Sequence, residues 1–289
     1  MDHPKNDLTK RISRNIEKFT PTDHRVADYI LREYPTSMLQ NASEIARELQ
    51  INVSTVTRFF PKIGYQSIKD AMTDFKKNIQ FLINSPLDRY LQYHEEPTTN
   101  QNVFNKVIEL DVSNIQNTFK ELSENAVNLF VELITNKSSS IYVLGTRKEF
   151  SVAFYFYYQM ASFRDNIFLL NPSNLIDQLS RVKSRDLLII FDFRRYSGIH
   201  RKASRFVKEI GGEVIVFADS PIAPSAAYSD CLLVVKTTGL SAFDSYTAAL
   251  ALNNALLALL IEHLGEQFRE KSKRFENLYK RFDIFVFQK

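Results

Sequence analysis

Apolar side chains recur at one-turn spacing through the first 80 residues, which predicts an all-helical amino-terminal region. Leu8, Ile12 and Ile16 are four residues apart, and Val26 and Ile30 continue that spacing in a second segment. A repeat of three to four residues marks one face of an α-helix, whereas a strand would alternate every second residue. We therefore predict helices, and no strand, over residues 1–80.

Several polar residues stand where helices should begin. Thr20 precedes Pro21, a residue favoured in the first turn of a helix, and Asn41 stands three residues before Glu44 in a capping-box pattern. Asn52 stands before a further apolar repeat and is expected to cap the next helix with its side chain. Two short helices joined by a tight turn are thus predicted between residues 41 and 60.

Proline lacks a backbone N–H and disfavours a helix interior. Pro61 is therefore expected to end the second short helix at Phe60 and to leave Lys62 on a turn.

Beyond residue 139 the pattern changes to short, continuously apolar runs separated by segments of helical length. Such alternation is typical of a parallel sheet with helices on both faces. We predict strands at residues 141–144, 167–170, 187–193, 214–217 and 232–235. The fold class is therefore an all-α helix-turn-helix domain followed by a doubly wound, mainly parallel, five-stranded α/β domain.

The segment between these regions is rich in proline and asparagine and has no apolar repeat, so we expect a linker over residues 81–103. The predicted domains are residues 1–80 and residues 104–289. The second begins with two amphipathic helices and ends with a long apolar helix and a basic amphipathic tail. An excess of apolar helix surface suggests a homodimer, or a tetramer built from two dimers.

Composition narrows the class of protein. The chain has 289 residues, of which 44% are apolar and 24% charged, enough for a substantial core. The single cysteine, Cys231, excludes an intramolecular disulfide and a cysteine-based zinc site. Neither a signal peptide nor a membrane-spanning segment is expected, so we predict a soluble cytoplasmic protein that does not bind membranes and has no cofactor or bound metal.

The net charge is +4, and residues 1–80 hold 13 Lys and Arg against 10 Asp and Glu. A basic amino-terminal domain is mild support for binding to a polyanion such as DNA. Within the two short helices, apolar residues occupy the inward positions and small polar residues the outward ones, the arrangement of a helix-turn-helix. Hydroxyl, cationic and phenolic side chains near the second helix are the predicted contacts to double-stranded operator DNA. They are Ser54, Thr55, Thr57, Arg58, Lys62 and Tyr65.

This motif followed by an α/β domain resembles the RpiR family of sugar-metabolism regulators. The local matches are Thr55-Val-Thr-Arg58 and Lys62-Ile-Gly-Tyr65. The resemblance implies a sugar-isomerase-type (SIS) domain that binds a phosphorylated sugar and alters DNA affinity. It also implies assembly into dimers or tetramers.

The SIS family carries Gly-x-Gly-x-Ser after its first strand and Ser-x-Ser-Gly-x-Thr after a later one. This chain departs from both patterns. In an ungapped comparison, Arg147 takes the second glycine position of the first motif and Glu149 its serine, while Arg195 takes the glycine of the second motif. Aligning Ser197-Gly198 with the family's Ser-Gly pair is the alternative, which we disfavour because it lengthens the strand.

These departures suggest an arginine clamp for a carboxylate or phosphate in place of hydroxyls. The predicted effector is a small anionic metabolite, a sugar phosphate or a sugar acid. The predicted effector-site residues are Thr146, Arg147, Glu149, Asp192, Arg194, Arg195, Tyr196 and Ser197.

Other interpretations of the same residues remain open. Arg147, Glu149, Asp192 and Arg194 could neutralise one another and leave a filled pocket without an effector. His200 is expected on a helix surface.

Asp244 is expected simply to begin the long helix.

A sugar-phosphate isomerase is the rival class, with Glu149 or Asp192 as base, but the sequence shows no paired acid and base and spends a quarter of its length on the helix-turn-helix. A metal-dependent repressor ranks lower still, because the chain has no ligand cluster at metal-binding spacing. Repressor, rather than activator, is the default prediction.

Overall fold

The computed structural model describes residues 4–34, 36–83, 85–93, 99–135 and 139–286. Five helices form the amino-terminal region, and no strand lies within its described part, as predicted. They are α1 (Pro4–Asn15), α2 (Pro21–Arg32), α3 (Ala42–Leu49), α4 (Val53–Lys62) and α5 (Ile68–Ile83).

The five helices bury one apolar cluster. Ile30, Ile45, Val56 and Phe59 are fully enclosed in it. Their spacing along α2, α3 and α4 places them on the inward faces, so the outward face of α4 is left to polar residues. This packing fixes the angle between α3 and α4.

The predicted caps of α2 and α3 form, but that of α4 does not. Thr20 and Asp23 make a reciprocal capping box at the start of α2, and Asn41 and Glu44 make the same arrangement at the start of α3. The Asn52 side chain makes no capping hydrogen bond. Its backbone carbonyl instead accepts the amide N–H of Thr55 at 2.9 Å, so the first turn of α4 closes through the main chain.

The prediction that Pro61 ends α4 at Phe60 is wrong, since the helix continues to Lys62. Proline in a helix crowds the carbonyl one turn before it. Pro61 lies in the last turn of α4, so the helix can still continue to Lys62. The helix closes with two hydrogen bonds that form a Schellman motif, from Tyr65 N–H to the Phe60 carbonyl and from Gly64 N–H to the Pro61 carbonyl. Gly64 supplies the left-handed residue that this motif needs, with φ +90°.

All five predicted strands form and pair in parallel, in the order β2-β1-β3-β4-β5. They are β1 (Ile141–Leu144), β2 (Ile167–Leu169), β3 (Leu187–Asp192), β4 (Glu213–Ala218) and β5 (Cys231–Val234). The chain leaves β1 for β2 on one side and then returns to β3 on the other. The strand order therefore reverses between β1 and β3, which is where ligands bind in open α/β sheets.

Helices cover both faces of the sheet. Their bounds are α7 (Asn100–Glu121), α8 (Glu124–Thr135), α9 (Phe150–Ala161), α10 (Leu175–Leu179), α11 (Gly198–Glu209), α12 (Thr247–Leu264) and α13 (Glu266–Arg281). Alternate residues of β3 enter different cores: Ile189 packs with α8, α9 and α12, whereas Ile190 packs with α10 and α11. The doubly wound architecture predicted from the sequence is confirmed.

The predicted linker contains a short helix, α6 (Pro86–Tyr93), and α7 begins before residue 104. Part of that segment, residues 84 and 94–98, lies outside the described residues. The boundaries of the linker remain a prediction.

Among the described helices, α12 alone is long and apolar enough to cross a membrane. It packs on the sheet instead, with Leu252, Leu256 and Leu260 buried in the core. Its apolar composition is that of a core helix.

Candidate DNA-reading surface and effector site

The outward face of α4 carries the hydroxyl groups and the cation that were predicted to meet DNA. Ser54, Thr57 and Arg58 are exposed, and Thr55 is half-buried. Two of these side chains fold back on the helix: Thr57 Oγ1 donates to the Ser54 carbonyl at 3.0 Å, and Arg58 Nε donates to the same oxygen at 3.2 Å. Such weak local bonds leave both side chains available to a phosphate or a base edge.

Lys62 and Tyr65 already have partners within the helical domain. Lys62 Nζ lies 2.5 Å from a carboxylate oxygen of Asp23, which is buried. Burial alone would raise the pKa of Asp23, but hydrogen bonds from Lys62 and Thr20 outweigh it and hold that pKa below its ordinary value. The guanidinium of Arg11 lies 4.7 Å from the centre of the Tyr65 ring. These two residues therefore also stabilise the packing around α4.

The second group of predicted residues lies at the carboxyl ends of β1 and β3. Thr146 follows β1, and its Oγ1 lies 3.0 Å from Nε2 of His200 on α11. The other ring nitrogen of His200, Nδ1, lies 2.8 Å from Oδ1 of Asp192, the last residue of β3. The second oxygen of Asp192 accepts the Ser225 hydroxyl at 2.6 Å. A buried hydrogen-bonded chain thus links both strands to α11.

The expectation that His200 lies on a helix surface is wrong, since its side chain is fully buried. It is on the inward face of α11, where Ala203 and Val207 follow it toward the sheet. The spacing of His200, Ala203 and Val207, three and four residues apart, is the sequence signal that places the histidine on the buried face of α11.

A second cluster, the charged cluster, is defined by Arg89, Lys148, Arg194, Asp219 and Asp244. Arg194 Nε lies 3.0 Å from Asp244 Oδ1 and 3.3 Å from Asp219 Oδ2. Arg89, on α6, reaches Asp244 Oδ1 at 2.6 Å, and Lys148 pairs with the other oxygen of Asp244. Three cations therefore surround two buried carboxylates.

The sequence does not single out Asp219 or predict the ion pairs of Asp244. Burial raises the pKa of Asp219 to about 6 against the opposing effect of Arg194. Asp244 precedes α12, which begins at Thr247, so its expected role as the start of that helix is wrong. It is brought to the cluster by a tight loop in which a Cβ on Gly239 would lie 1.8 Å from the Phe243 carbonyl oxygen.

The remaining predicted effector residues are separated from one another. Glu149 is buried and accepts a hydrogen bond from the Tyr246 hydroxyl at 3.2 Å, and burial raises its pKa. Burial likewise raises the pKa of Tyr196, which lies close to Asp219. Arg147 and Arg195 are exposed, and Ser197 precedes α11. The proposed mutual neutralisation of Arg147, Glu149, Asp192 and Arg194 does not form, because three of the four have other partners.

Arg147 and Arg195 share an unusual backbone conformation. Their φ angles are +55° and +65°, in the left-handed region that favours glycine. These are the two positions at which the ungapped comparison with the SIS family expects glycine and this chain has another residue. Gly198, the glycine of the alternative alignment, has no positive φ. The backbone geometry therefore supports the ungapped comparison.

An open cleft of about 410 Å³ lies beside this carboxyl edge. Its walls come from the end of β1, the loop after β2 and the first turn of α11. The lining residues are Thr146, Pro172, Ser173, Asn174, Leu175, Ile176, Asp177 and Ile199. The amino terminus of α11 contributes a positive dipole end, which favours an anion. Within the described residues, no group of three or more His, Cys, Asp and Glu side chains could hold a metal ion.

Comparison with known proteins assigns both parts of the chain. The model of the rpiR-family helix-turn-helix domain matches residues 6–80, and the model of the SIS domain matches residues 133–259. Together these matches span well over half of the chain. An uncharacterized helix-turn-helix-type transcriptional regulator of Thermotoga maritima is 20% identical over 233 residues, which are 80% of this chain and 82% of the relative.

Two solved structures share the fold. The sugar isomerase domain of an RpiR transcription factor from Sphaerobacter thermophilus has a TM-score of 0.57 and 24% identity, covering 61% of this chain and 98% of that one. The Vibrio vulnificus NanR protein complexed with ManNAc-6P has a TM-score of 0.56 and 18% identity, covering 96% of this chain and 99% of that one. The second likeness extends over both domains.

Proposed function

This chain belongs to the RpiR family of sugar-related transcription regulators, and on that premise we propose that it is a cytoplasmic repressor controlled by a small anionic sugar derivative. The observation that carries the proposal is the pairing, in one chain, of an exposed polar helix α4 with a cleft at the switch point of a SIS sheet. The effector would bind in that cleft and change the affinity of α4 for operator DNA.

The DNA-binding half of the proposal rests on the outward face of α4. Arg58 is exposed there and long enough to reach a guanine edge or a phosphate. We propose Ser54, Thr55 and Thr57 as its neighbours at the DNA, with Lys62 and Tyr65 both supporting the packing and lying at the edge of the contact.

Arg58→Ala should weaken binding to duplexes tiled across the promoter of the chain's own gene. A bidentate arginine contact contributes about 1–3 kcal/mol, so the dissociation constant should rise roughly 5- to 150-fold. The measurement is fluorescence anisotropy at fixed salt. Arg269→Ala is the control of equal charge change, because Arg269 lies on exposed α13 and pairs only locally with Glu266. Equal effects of the two substitutions would remove Arg58 from the DNA contact.

The effector half rests on the cleft and on the cations that follow β1 and β3 at the same edge of the sheet. Thr146 and the first turn of α11 line the cleft, and Arg195 is exposed at the same edge of the sheet. In the charged cluster, three cations pair with two carboxylates, so the cluster itself has one positive charge in excess. The ManNAc-6P bound by the Vibrio vulnificus protein is an anion of the proposed kind.

The effector can be identified by measuring the Tm of the protein in the presence of sugar phosphates, sugar acids and free sugars. A ligand present at 100 times its dissociation constant stabilises the native state by about 2.7 kcal/mol, which is readily seen as a rise in Tm. We expect a rise with one anionic compound. Replacing Arg194 and Arg195 together by alanine should abolish it and preserve DNA binding.

Two further variants make that result interpretable. Arg195→Gln removes an exposed cation and leaves the ion pairs of Arg194 intact. It should therefore weaken the binding of the effector without unfolding the domain. Arg181→Ala with Lys183→Ala removes two exposed cations near the start of β3, at the opposite edge, and should leave the rise in Tm unchanged.

A second candidate is a regulator that needs no effector. It is favoured by the pairing of Arg194 with Asp219 and Asp244. The sequence predicts that Arg194 binds an anionic effector, but its charge is already balanced by these two carboxylates. Tight DNA binding with no rise in Tm for any compound would support this candidate. An isomerase is less favoured, because His200 and Asp192 are fully engaged with Thr146 and Ser225 in a buried chain.

A further inference from the structure

Three consecutive residues in the first turn of α11 point to three different parts of the molecule. Ile199 lines the cleft. His200 is buried and bonded to Thr146, which lines the same cleft. Arg201 leaves the sheet domain and pairs with Glu33 in the helical domain. One helical turn therefore touches both the cleft and the DNA-binding domain.

Glu33 follows the last residue of α2 and is buried, although it is a carboxylate. The Tyr228 hydroxyl lies 2.7 and 2.8 Å from its two oxygens, and Arg201 binds one of them. Burial would raise the pKa of Glu33, but the hydrogen bonds from Tyr228 and Arg201 hold it below the ordinary value. Both donors belong to the sheet domain, so this carboxylate joins the two domains.

An apolar contact reinforces the same junction. Ile222, in the segment after β4, is buried in the core of the helical domain together with residues of α2. The junction therefore combines a buried ionic contact with apolar packing, and it holds α2, whose packing in turn sets the position of α4.

The link from the cleft to the junction is rigid. Both ring nitrogens of His200 are bonded, at 3.0 Å to Thr146 and at 2.8 Å to Asp192, so the side chain has no free polar atom with which to adapt. Close-packed protein interiors transmit a displacement instead of absorbing it. A change in the hydrogen bond at Thr146 would therefore move the first turn of α11, and with it Arg201.

We propose that Thr146, His200 and Arg201 couple the occupancy of the cleft to the position of the DNA-binding domain through Glu33. The proposal deepens the proposed function by naming how the same cleft would be read out. In this proposal Thr146 and His200 are positioning residues. A ligand that forms a hydrogen bond with the Thr146 hydroxyl in place of His200 loosens or shifts α11, and the change reaches α2 at Glu33.

The coupling can be tested in the full-length protein without ligand or DNA, by hydrogen–deuterium exchange. Thr146→Val keeps the shape of the side chain and removes its hydrogen bond to His200. We expect exchange in residues 26–34 of the helical domain to become roughly fivefold faster, as when one hydrogen bond is lost. Thr146→Ser keeps the hydroxyl and should behave as the unsubstituted protein. Thr135→Val, which removes a hydroxyl bonded only within α8, is the matched control.

Glu33→Gln tests the other end of the link. It should speed exchange in residues 26–34 by a similar factor, and adding Thr146→Val to it should have no further effect there. Glu266→Gln is its control, because Glu266 is exposed, pairs with Arg269 within α13 and should leave this exchange unchanged.

Three results would overturn the coupling: no change in residues 26–34 with Thr146→Val, additive effects in the double variant, or equally faster exchange in the buried strand β3. The last would show general destabilisation. These results are independent of the proposed function, which fails instead if no compound raises Tm or changes DNA affinity.

Discussion

At the scale of single residues, Arg147, which follows β1, and Arg195, which follows β3, share a left-handed backbone conformation. Each holds a left-handed φ at a position where a β-carbon is unfavourable by about 1 kcal/mol or more. Neither is buried, so packing does not explain them. Backbone strain of this kind occurs at ligand-binding sites as well as at turns and helix ends, and at these two positions it agrees with the proposed effector site.

Arg195→Gly should relieve that strain. We expect the free energy of unfolding to stay the same or rise slightly, because the relief offsets the greater freedom that glycine gives the unfolded chain. The same substitution should remove the rise in Tm caused by an effector. Denaturant unfolding, with and without the effector, measures both quantities.

Arg181→Gly is the control for that measurement. Arg181 is exposed and has no positive φ, so glycine there should lower the free energy of unfolding by about 1 kcal/mol. A loss of the same size for Arg195→Gly would contradict the assignment of strain.

At the scale of elements, the end of α4 depends on a single glycine. Gly64 has φ +90°, and a Cβ there would meet nothing closer than a nitrogen of Arg11 at 3.6 Å. Space is therefore sufficient, and only the backbone conformation opposes a side chain.

Gly64→Ala should accordingly lower the free energy of unfolding by about 1–2 kcal/mol through the backbone alone. It should also loosen the Schellman closure that orients Lys62 and Tyr65, and so weaken DNA binding. Gly198→Ala is the matched control: Gly198 begins α11, a Cβ there meets nothing within 4 Å, and no loss is expected. Equal stabilities of the two variants in urea unfolding would count against this account.

At the scale of the whole molecule, α7 exposes a continuous apolar stripe. Phe104 and Ile108 are 61% and 60% exposed, and Val112 and Phe119 extend the stripe along the same face. Contiguous exposed apolar surface is typical of sites at which proteins associate. It supports the predicted homodimer, which would present two copies of α4 to DNA.

Ile108→Lys should therefore shift the protein toward the monomer in sedimentation at micromolar concentration, because it places a charge in the stripe. DNA affinity should fall with it, since paired half-sites need two recognition helices held about one helical turn apart. Glu109→Lys changes charge at the neighbouring exposed position outside the stripe and serves as the control. A monomer–dimer distribution unaffected by Ile108→Lys would exclude the α7 stripe as the interface.

The local pattern of the chain determined the elements and their class. Helical and strand periodicities depend on neighbours within a few residues, so the five strands, the helix-turn-helix and two of the three expected caps could be predicted from the sequence. The left-handed backbone at Arg147 and Arg195 could also be predicted, because both residues stand where the family pattern has glycine.

Only the tertiary structure decided which charged groups meet. Arg89 and Asp244 are 155 residues apart, and Glu33 and Tyr228 are 195 apart, so no local pattern joins them. The burial of His200 and the raised pKa of Asp219 depend on elements that pack over them. Burial and long-range pairing follow from how helices and strands stack, because the cost of a buried charge depends on what surrounds it in space. The sequence thus determined the architecture and the edge of the sheet that carries the candidate effector site. The packing of the two domains decided how that edge is connected to α2.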